Sequence, residues 1–486
     1  MSYLDLSIKE MHAAIIAGKV TPLELVQESL KRAKANNDNA FEYISEKEAL
    51  EAVSKLDESK KDNLLWGIPF VLKDNYSTKG IPTTASSNIL NGYVPIFDSE
   101  VYKRLVDAGA ILIGKTTLDE LAMGGSGTTG HLGKTYNPWD PTHTHQVGGS
   151  SCGSAAACAS GIAPIAIGSD TGDSVRKPAS LAALVGIKPT WGRISRFGLF
   201  PFAPSLDHVA FFTRNVEDSA IVLETLAGRD DKDSTSSTMP VEAYASKIDS
   251  SLKGKKIAVI KEIYESISNK EIIAAFDNTI AKFKENGATV DFVSMNLALC
   301  KAIYPTYVVI SCCEATSNNA NLDGIKFGPR YAADDYEKIM TEARTRGFSE
   351  LIKRRFIIGS YCLLRDNRVE TFENAQKCRR LIVDTVNGIL NDYDAIYLPA
   401  APTTAPLFNS SASDKLSNEY LIADNWMAIG NFAGLPSITL PIGFENGLPF
   451  GANLTAKKFD EVNLYGLSAA LENITGMKNL IAKEDK

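Results

Sequence analysis

Short apolar runs bounded by polar turns alternate along this chain with stretches whose apolar residues recur every three or four positions, a rhythm that predicts an α/β fold. Ser7 with Glu10, and Thr21 with Pro22 and Glu24, carry the hydroxyl and acidic groups that satisfy free N–H groups at a helix start. Residues 7–36 are therefore predicted to form two helices, packed outside the main core, within an N-terminal helical segment of residues 1–65. WGIPFVLKDN (66–75) reads as a buried strand ending in polar residues. GAILIGKTTLDELA (109–122) reads as a strand, a turn and a helix capped by Thr117 with Glu120. GIAPIAIGSD (161–170) is another apolar run, stopping before a TGDS turn, and functional groups gather at such strand ends. DDKDSTSSTMP (230–240) has linker composition; KKIAVI (255–260), DAIYLPA (394–400) and SITLPIGF (437–444) are strand-like. The simplest organisation is one large domain over residues 66–486 with a surface break near 230–254.

With 486 residues, 44% hydrophobic and 22% charged, the chain suits a globular protein with a large core. Its longest apolar runs, such as GIAPIAIG, fall short of the roughly 20 residues that cross a bilayer. The opening MSYLDLSIKEMH lacks a basic segment followed by an apolar one. Seven cysteines, an odd number without metal-ligand spacing, fit a reduced cytoplasmic protein better than a disulfide scaffold. A net charge of -7 argues against a dominant nucleic-acid surface, so any RNA contact, for instance at Lys353, Arg354 and Arg355, is expected to be shared with a partner.

The segment VGGSSCGSAAACASGIAPIAIGSDTGDSVRKPAS (147–180) concentrates the chemistry, and it contains no histidine. The chain has five histidines, His12, His131, His143, His145 and His208. His143 and His145 form an H-x-H in a polar loop without a nearby third ligand, which reads as a solvated pair rather than a metal site. His208, single in an apolar stretch, reads as a structural hydrogen-bonding group, with service to a serine as the alternative. Ser174 sits in G-D-S-V-R rather than in a G-x-S-x-G elbow. TTGHLGKT (128–135) approaches a phosphate-cradling loop, but Thr128 replaces its leading glycine and YNPWDP follows where a helix should begin. Lys73 remains as a base, because burial at a strand end favours the neutral amine that can accept a proton. The competing reading is a strand-end lysine paired with Asp74 or another carboxylate.

VLKDN, VGGSSCGSAA and GSDTGDSVRKPAS, in that order, resemble the amidase signature family, and the resemblance continues through VGIKPTWGRISRFGLFPFAPSLDH (185–208). It implies an amidase signature fold, an α/β arrangement with a large mixed β-sheet core covered by helices on both faces. It also implies a Ser-cisSer-Lys triad: Ser174 as nucleophile, Ser150 after a cis peptide as bridge, and Lys73 as base, with no metal. The backbone N–H groups of Thr171, Gly172, Asp173 and Ser174 would form the oxyanion hole. Downstream, YVVISCCEATSNNANLDGIKFGPR (307–330), IKRRFIIGS (352–360) and NFAGLPSITLPIGF (431–444) are similar to stretches in the glutaminase subunits of tRNA-dependent amidotransferases. That likeness implies hydrolysis of glutamine to glutamate and ammonia without a cofactor in this chain. The ammonia would pass to a B subunit, a kinase/transamidase that uses ATP and Mg to convert Glu-tRNA(Gln) to Gln-tRNA(Gln). A small C subunit would clasp the pair, and tRNA would be met mainly through the partner.

By position, the resemblance assigns Arg354 or Arg355 to the glutamine carboxylate, Asp424 to its ammonium, Tyr307 to a pocket wall and Ser126 to the substrate face. Each has an ordinary reading too: an arginine pair on an amphipathic helix, a helix-capping aspartate, a core tyrosine. This chain departs from the family pattern in having Asp173 and Cys152 where glycine is usual. A carboxylate beside the oxyanion opposes the charge that develops there. Cys152 reads as a small buried residue, with nucleophile as the alternative. A free-standing amidase acting on another small amide, and a weakened subunit kept as a scaffold, are the competing functions.

Overall fold

The computed structural model describes residues 2–410 and 415–482. Among them, eleven strands form one mixed sheet: β1 (Phe41–Ile44), β2 (Pro69–Lys73), β3 (Ile111–Thr116), β4 (Ile165–Asp170), β5 (Val185–Lys188), β6 (His208–Thr213), β7 (Lys256–Ile260), β8 (Thr289–Val293), β9 (Ala395–Pro399), β10 (Ser437–Glu445) and β11 (Leu448–Ala456). Their order is β1-β3-β2-β4-β6-β5-β10-β11-β9-β7-β8. β3, β2 and β4 run parallel, as do β9, β7 and β8, and the strands between these groups are antiparallel. The β10–β11 hairpin turns on Asn446 and Gly447, both at positive φ, the geometry that Asn-Gly supplies.

Alternate residues of the strands divide between two apolar clusters, so both faces of the sheet are covered. Phe70, Leu72, Leu112, Ile165 and Ile167 join one cluster; Val71, Ile111, Ile113, Ala166 and Phe212 join the other. In the second cluster the helix Cys152–Ala159, built from small residues, lies flush on the sheet. A Cβ at Gly153 would stand 2.4 Å from the carbonyl oxygen of Ala40, which is why that turn of helix tolerates only glycine. The same close approach lets Ser154 donate to the Ile167 carbonyl at 2.8 Å.

The two N-terminal helices form where the caps predict, Ile8–Ile16 and Pro22–Ala35, each closed by a reciprocal cap. They do not lie outside the core: Ile8, Met11 and Leu25 belong to one apolar cluster and Val26 and Leu30 to the other. Residues 1–65 also contribute β1 to the sheet edge, so this segment is not helical throughout.

Two further expectations are corrected. No α-helix follows Thr117, whose hydroxyl donates instead to the Asn39 carbonyl; Asp119 bends the chain into a loop, with a 3-10 turn at Glu120–Ala122. The linker-like stretch at 230–240 is pinned inward, because Asp230 accepts from Ser195 at 2.6 Å and Asp233 from the Arg196 N–H at 2.8 Å. One helix, Leu297–Asn318, begins a 25-residue stretch long and apolar enough to cross a membrane by composition. Lys301, Pro305 and scattered hydroxyls interrupt it, so no continuous apolar run marks it in the sequence. It buries Cys300, Ile303, Ile310, Cys312 and Cys313 against the body and carries Tyr307 to the cleft described below.

Candidate functional site

The parallel strands β3, β2 and β4 end on one edge of the sheet, the position at which open α/β sheets present functional groups. There Lys73, the last residue of β2, meets the loop before helix Cys152–Ala159. Lys73 Nζ donates to Ser150 Oγ at 2.8 Å, Ser151 Oγ at 2.9 Å and Ser169 Oγ at 3.0 Å. The Gly149–Ser150 peptide is cis. Lys73 is 0% exposed, Ser150 1% and Ser174 3%.

The alternative pairing of Lys73 with Asp74 does not occur. Asp74 is taken by Lys115, whose Nζ lies 3.0 Å from Oδ1, and by Thr84. Two buried lysines thus stand on neighbouring strands, and among the described residues only Lys115 has a carboxylate within ion-pair distance. Burial without such a partner pushes the Lys73 pKa down to about 7, against the more distant pull of the surrounding acids.

Ser174 follows β4 on the 171–174 turn, which a buried network holds. Arg176 donates from Nε to Asp170 Oδ2 at 3.1 Å, and from Nη2 to Asp170 Oδ1 at 2.8 Å and to the Gly172 carbonyl at 2.7 Å. Asn431 donates to the Asp170 carbonyl at 3.0 Å, and the Val175 N–H donates to Asp170 Oδ2 at 3.0 Å. Against its burial, the Arg176 guanidinium holds Asp170 below the usual carboxylate range. Among the described residues, the N–H groups of Gly172, Asp173 and Ser174 find no protein acceptor and remain available to an incoming oxygen. The Ser151 N–H donates to the Ser174 carbonyl at 3.2 Å and ties this turn to the Ser150 loop.

Next to this turn opens a cleft of 290 Å³, at the small end for a small-molecule site, lined in part by Ser126, Asp173, Lys177, Tyr307, Arg355 and Asp424. Of the two candidate arginines, Arg354 is exposed on the outer face of its helix and Arg355 reaches the cleft. Arg355 lies over the Phe202 ring at 5.5 Å, and its Nη1 is buried without a hydrogen-bond partner. Tyr307 packs against Gly172, where an added Cβ would meet its ring at 3.0 Å. Asp424 accepts from Lys177 Nζ at 2.5 Å. Asp173 is 21% exposed and lies 4.0 Å from the same Nζ; burial pushes its carboxyl up to about 6.

Other sequence candidates fall away from the chemistry. Cys152 is buried and accepts from Thr135 Oγ1 at 3.3 Å, and burial pushes its thiol up to about 12, which disfavours the thiolate. His208 is buried and burial keeps it neutral; its Nδ1 faces the Leu206 carbonyl at 2.7 Å. His145 pairs with Asp140 and His143 stacks on Tyr136. No cluster of three or more metal-ligating side chains occurs among the described residues. TTGHLGKT is a loop with no helix after it.

Sequence reasoning missed Asp119. Its carboxylate accepts from the N–H groups of Ser126, Gly127, Thr128 and Thr129 at 2.9–3.1 Å, and its own N–H donates to the Ser150 carbonyl at 3.1 Å. One aspartate therefore shapes the Ser126 side of the cleft and fixes the Ser150 loop. A side chain whose partners are four backbone N–H groups and, from the side chains, the Thr129 hydroxyl leaves little residue-type pattern. The Asp170–Arg176 pair was within reach, since both residues flank Ser174 in one short stretch.

A family model described as Amidase matches residues 24–465. The glutamyl-tRNA(Gln) amidotransferase A subunit of Pediococcus pentosaceus is 39% identical over 482 residues, covering 98% of each chain. The crystal structure of the corresponding glutamyl-tRNA(Gln) amidotransferase A subunit from Thermotoga maritima superposes with a TM-score of 0.81 at 34% identity, covering 100% of this chain and 99% of that one. The native peptide amidase of Stenotrophomonas maltophilia superposes with a TM-score of 0.82 at 27% identity, covering 98% of each.

Proposed function

The chain belongs to the amidase family, and from that premise we propose that it is the glutaminase subunit of a tRNA-dependent amidotransferase, releasing ammonia from glutamine. The observation that carries the chemistry is Lys73, buried, without a carboxylate partner and 2.8 Å from Ser150. As the neutral amine it accepts the Ser150 proton while Ser150 accepts that of Ser174, and Ser174 Oγ attacks the side-chain amide carbon. The carbonyl oxygen, now negative, receives hydrogen bonds from the free N–H groups of the 171–174 turn, each such donor being worth about 3 kcal/mol of barrier. Collapse breaks the C–N bond, and the proton returns through Ser150 to the departing ammonia. Water then hydrolyses the acyl-serine to glutamate by the same relay.

Arg355 supports the choice of an amino-acid substrate, because its buried, unpartnered nitrogen suits a carboxylate. Asp424 offers the matching site for an α-ammonium. In this reading the chain works in the cytoplasm with a B subunit that uses ATP and Mg on Glu-tRNA(Gln) and with a small C subunit. One observation favours a second reading, a weakened scaffold: Asp173 places a carboxyl group on the very turn that would bind the oxyanion.

The test is ammonia release from glutamine by the purified chain, alone and with B and C subunits, ATP and Glu-tRNA(Gln). Release that the partners raise, and that Ser174→Ala and Lys73→Ala each abolish, supports the proposal. Release from aryl or peptide amides in preference to glutamine makes the chain a free-standing amidase. No release from an assembled complex makes it a scaffold.

A further inference from the structure

Asp424 is occupied in the resting cleft. Lys177 Nζ donates to its Oδ1 at 2.5 Å and to its carbonyl at 3.3 Å. The same Nζ lies 4.0 Å from Oδ2 of Asp173, one helical turn earlier. Among the described residues, the cleft lining contains four charged side chains, Arg355 and Lys177 against Asp173 and Asp424. Against its burial, the two carboxylates hold Lys177 protonated above its ordinary range.

This arrangement constrains how a zwitterion can bind. A substrate ammonium arriving at Asp424 meets Lys177, a like charge within hydrogen-bond distance of the same oxygen, unless Lys177 has a second anion to move to. Among the described residues, Asp173 is the second anion within reach. With both present the lining is neutral and stays neutral when a zwitterion enters. With Asp173 removed, one positive charge is left in excess; with Asp173 and Lys177 both removed, the balance returns.

Resting on the glutaminase reading, we propose that Asp173 and Lys177 form a counter-ion exchange: when the amino acid binds, Lys177 passes from Asp424 to Asp173, and Asp424 takes the substrate's α-ammonium. Asp173 is then a positioning residue for substrate selection, and its pairing with Lys177 draws its own charge away from the oxyanion. Only a ligand that carries an ammonium drives the exchange, since a ligand without one leaves Lys177 on Asp424.

The test is a double-mutant cycle on the full chain assembled with its B and C subunits, reading kcat and KM for ammonia release from glutamine in the wild type, Asp173→Gly, Lys177→Gln and the double variant. Glutaric acid monoamide, which keeps the amide and carboxylate but lacks the ammonium, is run beside it as a competitive inhibitor. Loss of a charge-assisted contact predicts that Asp173→Gly raises the glutamine KM about tenfold and leaves kcat nearly unchanged. In the Lys177→Gln background the same replacement should move KM by less than about twofold. Inhibition by the monoamide, an anion that needs no exchange, should not weaken when Asp173 is removed. Asp173→Asn, which keeps the side-chain size, should repeat the KM rise; if thermal melting shows the glycine variant misfolded, the asparagine variant decides.

An equal KM change in both backgrounds would overturn the exchange in favour of a structural role. A rise in kcat in both would overturn it in favour of simple opposition to the oxyanion. If the assembled wild type neither hydrolyses nor binds glutamine, the glutaminase reading fails and the exchange falls with it.

Discussion

The floor of the cleft and its outer wall are built in opposite ways. On the floor, Lys73, Ser150, Ser151, Ser169, Asp170, Arg176 and Asn431 are all buried and joined by short hydrogen bonds, several to backbone groups. On the wall, Arg355 keeps a buried nitrogen without a partner, and Asp424 is held by a lysine that has an alternative carboxylate nearby. Reacting groups must be fixed to within about half an ångström, and that takes an over-determined surround. Groups that select a ligand must instead keep some bonding capacity unspent until it arrives, even though a buried unsatisfied nitrogen costs stability. On this comparison the floor sets the reaction and the wall sets what enters it.

The largest expected effects therefore lie on the floor. Ser174→Ala should lower kcat for amide hydrolysis about 10⁴-fold or more while leaving glutamine affinity within a few-fold, as measured by single-turnover ammonia release and by calorimetry. Lys73→Arg should be as inactive as Lys73→Ala, because a guanidinium stays protonated. An active Lys73→Arg enzyme would move the base elsewhere and dissolve the distinction between floor and wall.

Effects one step smaller belong to the wall and separate adjacent residues. Arg355→Ala should raise the glutamine KM about 10- to 100-fold with a modest change in kcat, the cost of a lost charge-assisted contact to a carboxylate. Arg354→Ala, on the outer face of the same helix, should leave both within about twofold. The reverse result would show that the helix sits in a different phase against the bound substrate.

The same division governs what could be read from the chain. On the floor, Lys73, Ser150 and Ser174 were legible through the family resemblance, which one contiguous stretch and a single strand end carry locally, whereas Asn431 reaches them only through the fold. The capping boxes at Ser7 and Thr21 were legible because they are wholly local. Arg354 and Arg355 could not be told apart, because neighbouring helical positions point about 100° apart and the packing partner decides which one faces inward. Thr117 and Glu120 have the right spacing for a cap, yet the four backbone N–H groups that Asp119 gathers outweigh a local helix start. Polar composition at 230–240 suggested a linker because composition carries no sign of whether Asp230 and Asp233 bond outward to water or inward to the body.

The pH profile sharpens the floor further. Lys73 must be neutral to act as a base, and burial places its pKa at about 7. Below that pH, kcat/KM should fall about tenfold per unit; above it, activity should level off. The stability sign follows from the same shift. The folded state holds fewer protons at Lys73 than the unfolded state between about 7 and the ordinary 10.5, so this group's contribution to stability rises with pH across that window. In Lys73→Met, which packs without a charge, that rise should disappear from denaturant unfolding curves. A wild-type activity profile that still rises above pH 9 would mean that a carboxylate had reached the lysine and restored its ordinary pKa.

The smallest expected effect concerns Cys152, two residues from the bridging serine and yet outside the reaction. Its sulfur is buried, accepts a hydrogen bond from Thr135 and is held as the thiol by a pKa pushed up to about 12, so little nucleophilic thiolate exists at neutral pH. Cys152→Ala should leave kcat within about twofold and cost about 1 kcal/mol of stability for the lost sulfur contacts. A Cβ at Gly127 would approach the Cys152 Cβ to 2.8 Å, so the sulfur fills space against a glycine that cannot grow. If the alanine variant instead lost most of its activity while its melting temperature held, the thiol would be a reacting group and the floor would contain a second nucleophile.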